Sequence, residues 1–335
     1  MPFDAYVFAD WSARTGRGPA RPCCDAVWVG WTRARGAPSA RYCRTRAEGT
    51  ELVRALLRDA CVHQERVLVG FDFPYGYPRG LAAAAGFRRP AWRSTWDALG
   101  AGLVDGDDNR SNRFEVAEAL NRRVCGRGPG PFWGRPVPRG VTTAQRPCGR
   151  RALRPTSPGF PFPLPGGGRL ERLRECDRRL RGVQECWKLL GVGSVGSQAL
   201  TGIPRLRSLR DDPALAGASA VWPFETGFTS AFGRGARIVH AETWPGLVER
   251  EVALRSEPIR DEAQVLALCA WARRLDARGE LAPLFERPPD LGGADLRAVL
   301  EEEGWVLGCR DGTRTGTRWR CGSRTLTPTA PRPPR

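Results

Sequence analysis

The chain has 335 residues, 53 Lys and Arg against 36 Asp and Glu, and a formal net charge of +17. That length buries a sizeable core without staples, and no stretch approaches the run of about 18 apolar residues that a membrane span requires, so the composition points to a soluble globular protein. Lys188 is the single lysine, so the charge is carried by arginine; a polyanionic partner and a GC-rich coding bias both account for it.

Taken in chain order, residues 5–10 ("AYVFAD") and 26–31 ("AVWVGW") predict two strands, and 40–45 ("ARYCRT") a weaker third. Residues 50–62 place Leu52, Val53, Leu56, Leu57 and Ala60 on one helical stripe. The run "RVLVGFDFP" over 66–74 reads as a buried strand that reaches Asp72 and is stopped by Pro74. The order is β-β-β-α-β. Beyond it, "TWDALG" and "NRFEVAEALNRRV" look helical, and the Gly/Pro/Arg-rich segment 126–169 reads as loop. Residues 169–190 carry Leu170, Leu173, Leu180, Val183 and Trp187 at helical spacing with a basic opposite face, which predicts a surface helix. "GVGSVGS" over 191–197 lacks the Gly-Lys-Ser/Thr of a P-loop and is read as a flexible loop. Regular alternation returns with a strand over 236–245 and a helix over 260–281. Residues 311–335, basic and without apolar periodicity, are expected to be a disordered tail following a domain of residues 1–310.

Eleven cysteines without a basic, cleavable leader point to reduced thiols and a cytoplasmic location. The stretch "VHAETWP" holds a His-x-Glu, half of a zinc-deaminase signature, but no Pro-Cys-x-x-Cys follows it. Its Glu242 belongs instead with Asp10 and Asp72: each ends an otherwise apolar strand, where a charge is costly unless something pairs with it. Asp261 adds a fourth acid at a helix start. Carboxylates gathered at strand carboxyl ends raise one another's pKa and suit hard cations such as Mg²⁺ or Mn²⁺. His240, two residues before Glu242, is read either as a neighbour of that site or as a packed core histidine.

The motifs "YVFADWSA", "VLVGFDFPYGYP", "AETWPG" and "RDEAQVLALCAWA", in that order, resemble a family of predicted ribonuclease H-like nucleases, the DUF429-like group. "DDNRSNRFEVA", "PFWG", "GSVGSQALTGIP" and "WPFETGF" spread the resemblance over most of residues 4–308. It implies an α/β, ribonuclease H-like mixed sheet flanked by helices, with a large insertion over about 79–235 between the fourth and fifth strands. It further implies a divalent-metal nuclease acting on DNA or RNA, with Asp10, Asp72, Glu242 and Asp261 as catalytic metal ligands and Asn109, Asn112, Arg113 and Glu225 lining a substrate cleft. Gln264 stands where relatives often carry a second helix acid, which lowers the expected metal affinity. Two other functions fit the same features: an ATP-dependent small-molecule kinase of the same superfamily, and a catalytically silent nucleic-acid-binding protein.

Overall fold

A computed structural model describes residues 2–136, 152–233 and 235–310; the expected basic tail and the middle of the Gly/Pro/Arg-rich segment lie outside the described residues. The meander is β1 (Ala5–Asp10), β2 (Val27–Arg33) and β3 (Ser39–Cys43), followed by α1 (Arg46–Val62) and β4 (Val67–Phe71). Helix α1 starts where the Thr45 hydroxyl accepts the Glu48 N–H and the Glu48 carboxylate accepts the Arg44 N–H, a reciprocal cap. Short α2 (Leu81–Ala84), α3 (Ala91–Gly102), α4 (Arg113–Cys125), the two-residue ribbon β5 (Phe162–Pro163) and β6 (Arg169–Leu170), α5 (Glu175–Arg179) and α6 (Val195–Arg210) precede β7 (Ser219–Trp222) and β8 (Ile238–Glu242). The described chain closes with α7 (Glu249–Ala253), α8 (Arg260–Ala277) and α9 (Gly293–Ala298).

Six strands form one mixed sheet in the order β3-β2-β1-β4-β8-β7. The meander pairs are antiparallel, and β1·β4, β4·β8 and β7·β8 are parallel. Because successive side chains point to opposite faces of a sheet, each strand feeds two cores. Val7, Ala9, Val69, Phe71 and Ile238 pack with Leu57 of α1, Leu99 of α3 and Ile203 of α6 on one face. Tyr6, Phe8, Leu68, Val239 and Ala241 pack with Ala263, Ala267 and Leu268 of α8 on the other. No helix among the described residues is long and apolar enough to cross a membrane.

Two expectations are corrected here. Residues 169–190 do not form a helix beyond α5, because the apparent stripe is divided: Leu170 and Trp187 belong to the α6-side core, and Leu180 and Val183 to the α8-side core. Gly182 then takes φ 87°, which ends any helical path. The Gly-rich run at 191–197 is a loop only as far as Ser194; its last residues open α6, a sixteen-residue helix. The segment 79–235 supplies α3, α4 and α6 to a core and β7 to the sheet edge.

Candidate functional site

Strands β1 and β4 run parallel with Ala9 opposite Phe71. One residue further on, Asp72 N–H donates to the Ala9 carbonyl, so Asp10 and Asp72 are neighbours at the carboxyl ends of adjacent strands. By alternation both point to the α8 face, like Phe8 and Leu68. Their carboxyl groups hydrogen-bond to each other, which requires a shared proton. Burial holds Asp10 well above the ordinary carboxylate range, and the charges of Asp72, Asp261 and Asp25 push it in the same direction. Burial also lifts Asp72 to about 7, against the opposing pull of the Trp11 N–H, which donates to its Oδ1 at 2.7 Å.

Asp261, in the first turn of α8, faces this pair across the sheet surface. Burial raises its pKa, while the Asp25 N–H, at 2.8 Å from Oδ2, opposes the rise. Asp25 was not singled out in the sequence, since it lies in a turn, "PCCDAV", rather than at a strand end. It sits at φ 53° and accepts the Ser12 hydroxyl at 3.1 Å. In a chain with 53 basic residues, none of those described forms an ion pair with Asp10, Asp25, Asp72 or Asp261.

Glu242 lies elsewhere. It is in register with Phe71, not Asp72, so its side chain leaves the sheet on the opposite face. There Arg174 grips it through two hydrogen bonds of 2.6 and 2.7 Å, and the Tyr75 N–H donates to it at 3.0 Å. Arg174 also forks Asp177 and reaches the Glu303 carbonyl, so all five of its N–H groups are used. Burial raises the Glu242 pKa and Arg174 pulls it back. Glu242 is therefore a buried strut, and the expected four-carboxylate site reduces to Asp10, Asp72 and Asp261, with Asp25 beside them.

The other expected residues divide in the same way. Asn109, at φ 67°, accepts the Arg46 N–H and donates to the Gly16 and Arg44 carbonyls. Asn112 bridges the Val104 N–H and the Gly102 carbonyl, and Glu225 takes Arg210 and the Val221 N–H. These three hold turns together. Arg113 is buried and donates to hydroxyl groups alone. His240 is wholly buried on the α6 side, 3.3 Å from the Ser219 hydroxyl, and burial lowers its pKa to about 3; it is a core histidine, remote from the acids.

Searched against protein-family models, curated proteins and solved structures, the chain matches none of them.

The donor set at the acids is oxygen alone, which suits a hard cation over zinc. Among the described residues no group of three or more His, Cys, Asp or Glu side chains is disposed to hold a metal ion. The acids therefore do not form a closed chelate. Two adjacent carboxylates with further positions left to water and phosphate are the protein share that Mg²⁺ commonly takes.

Proposed function

We propose that the protein is a divalent-metal-dependent phosphodiesterase of ribonuclease H-like architecture, acting on DNA or RNA. The observation that carries this reading is the Asp10–Asp72 pair: a buried and a half-buried acid side by side at adjacent strand ends, with no basic partner among the described residues. Such an arrangement costs stability in the absence of a cation, and strand carboxyl ends are where open α/β sheets place their ligands. Asp10 and Asp72 would hold Mg²⁺ or Mn²⁺, with Asp261 reaching it through water. When bound, the ion supplies positive charge against the phosphate oxygens and makes water a better nucleophile.

The chain's own residues do the remainder. The Trp11 N–H fixes the Asp72 carboxylate, and the Asp25 N–H fixes Asp261. The proton shared by Asp10 and Asp72 must leave before both carboxylates can serve a cation, so activity should rise with pH above the ordinary carboxylate range. The test is hydrolysis of end-labelled single- and double-stranded DNA and RNA in Mn²⁺, by wild type and by Asp10→Asn. Cleavage in the wild type that is lost in the variant supports the reading; equal cleavage by both refutes it.

A further inference from the structure

Among the described residues three arginines are buried: Arg46 is 0% exposed, Arg174 1% and Arg113 6%. Two of them are saturated. Arg174 spends its five N–H groups on Glu242, Asp177 and the Glu303 carbonyl. Arg46 spends its five on Asp105 and on the carbonyls of Ser12, Arg14 and Asn109.

Arg113 is different. It donates from Nε to Ser197 Oγ at 3.1 Å, from Nη1 to Ser111 Oγ at 3.2 Å and from Nη2 to Thr15 Oγ1 at 3.1 Å, and meets no carboxylate. A guanidinium has five N–H groups, so one on each Nη is left over. The Thr15 and Ser111 oxygens accept from Arg113, and their own O–H groups have no acceptor among the described residues. Ser197 instead donates to the Leu189 carbonyl. The pocket thus offers two N–H and two O–H donors and no acceptor, and Thr15, which is exposed, opens it to solvent.

The charge around it points the same way. Burial depresses the Arg113 pKa, and the nearby Arg46 charge adds to that, opposed by Asp105 and Glu115. Asp105 is already engaged by both Arg46 and Arg205. One carboxylate thus serves two guanidinium groups while a third, Arg113, stands beside them without one, an imbalance that an incoming oxyanion relieves.

We infer that Arg113, with Thr15 and Ser111, is a binding pocket for a phosphate group of the substrate. The choice of phosphate over other oxyanions rests on the phosphodiester reading above. The pocket and the acid pair border the same stretch of chain: Asp10 is followed by Trp11, whose N–H holds Asp72, and Thr15 lies four residues on. Gln198, next to Ser197 on α6, donates to the Trp11 carbonyl and ties the two sides together. The pocket would hold one phosphate while a neighbouring phosphodiester lies at the acids.

The test is the melting temperature of the full chain in EDTA at constant ionic strength, with chloride replaced stepwise by inorganic phosphate or sulfate. Wild type is expected to gain about 2 °C at a tenfold excess over Kd with either anion, since a pocket of donors alone has no acceptor for the proton of monohydrogen phosphate. Arg113→Gln should lose the gain, and Thr15→Val should weaken phosphate binding about tenfold. If Arg113→Gln does not fold, the double variant Thr15→Val, Ser111→Ala decides in its place. No gain in wild type, or an equal gain in the variants, overturns the pocket. Adenosine monophosphate and 5′-phosphorylated oligothymidylate identify the source. Equal affinity assigns a terminal phosphate, tighter oligonucleotide binding assigns a backbone, and both support the pocket. Asp10→Asn should keep the phosphate gain. A retained gain without Mn²⁺-dependent cleavage refutes the phosphodiesterase alone, and cleavage without a gain refutes the pocket alone.

Discussion

Replacing Asp10 by asparagine should make the protein more stable at pH 8 in the absence of metal. In the folded chain burial raises Asp72 from its ordinary 3.8 to about 7, and holds Asp10 well above the ordinary carboxylate range. At 1.36 kcal/mol for each power of ten in proton affinity, ionising Asp72 in place costs up to about 4 kcal/mol. The sign follows from proton uptake: between about pH 4 and 7 the folded state keeps on Asp72 a proton that the unfolded state has lost, so Asp72 makes stability fall with rising pH over that window, and the raised pKa of Asp10 acts in the same direction. In Asp10→Asn the amide donates to Asp72 without a shared proton, and one buried charge is gone. We expect a gain of about 2–4 kcal/mol at pH 8, read as about 3–6 °C in melting temperature for a domain of this size, and a much smaller difference at pH 4.5. Urea unfolding of both proteins in EDTA at the two pH values measures it. Comparing wild type with variant cancels the separate contribution of His240, whose depressed pKa makes the fold lose stability as pH falls from about 6.5 toward 3. A variant no more stable than wild type at pH 8 refutes the claim that two acids repel each other there.

Glu242→Gln should cost about 3 kcal/mol, because Arg174 loses a buried charged partner but keeps Asp177, and Mn²⁺ affinity of the folded variant should stay unchanged. A selective loss of metal binding would return Glu242 to the site. Gly76→Ala should destabilise by at least about 3 kcal/mol, since its Cβ would lie 2.1 Å from the Glu302 carbonyl oxygen and 2.7 Å from that of Glu303, both backbone; near-native stability would show that this approach is looser than described. The ring signals of His240 should not move between pH 8 and pH 5 in NMR spectra, and titration near 6.5 would contradict its burial as a neutral group.

The acids at the ends of apolar runs were legible in the sequence because an Asp after a continuous buried strand is an energetic anomaly that patterning exposes. Asp10 and Asp72 came together for that reason, and five of the six sheet strands and α8 were read from the same periodicities. The face taken by Glu242 could not be read. A strand's end is visible in composition, but its pairing register is not, and a shift of one residue reverses every side chain. The supposed helix at 169–190 misled for a related reason: helical spacing records apolar positions without saying that two different cores claim them. Helix α6 was hidden by Gly191, Gly193, Gly196 and Pro204. Gly196 is needed where its Cβ would stand 2.4 Å from the Cys186 carbonyl oxygen, so local propensity gave way to close packing. Arg174 carried no signal, since one buried arginine among so many surface ones looks like any other, and Arg113 was marked only by the resemblance.

The central claim is that Asp10 and Asp72 share a proton which a divalent cation displaces. Calorimetric titration of Mn²⁺ into the metal-free protein at pH 6, in two buffers of different ionisation enthalpy, measures affinity and proton release together. The account predicts saturable binding with net proton release, tightening as pH rises and abolished in both Asp10→Asn and Asp72→Asn. Binding that releases no proton, or that survives in either variant, would contradict it.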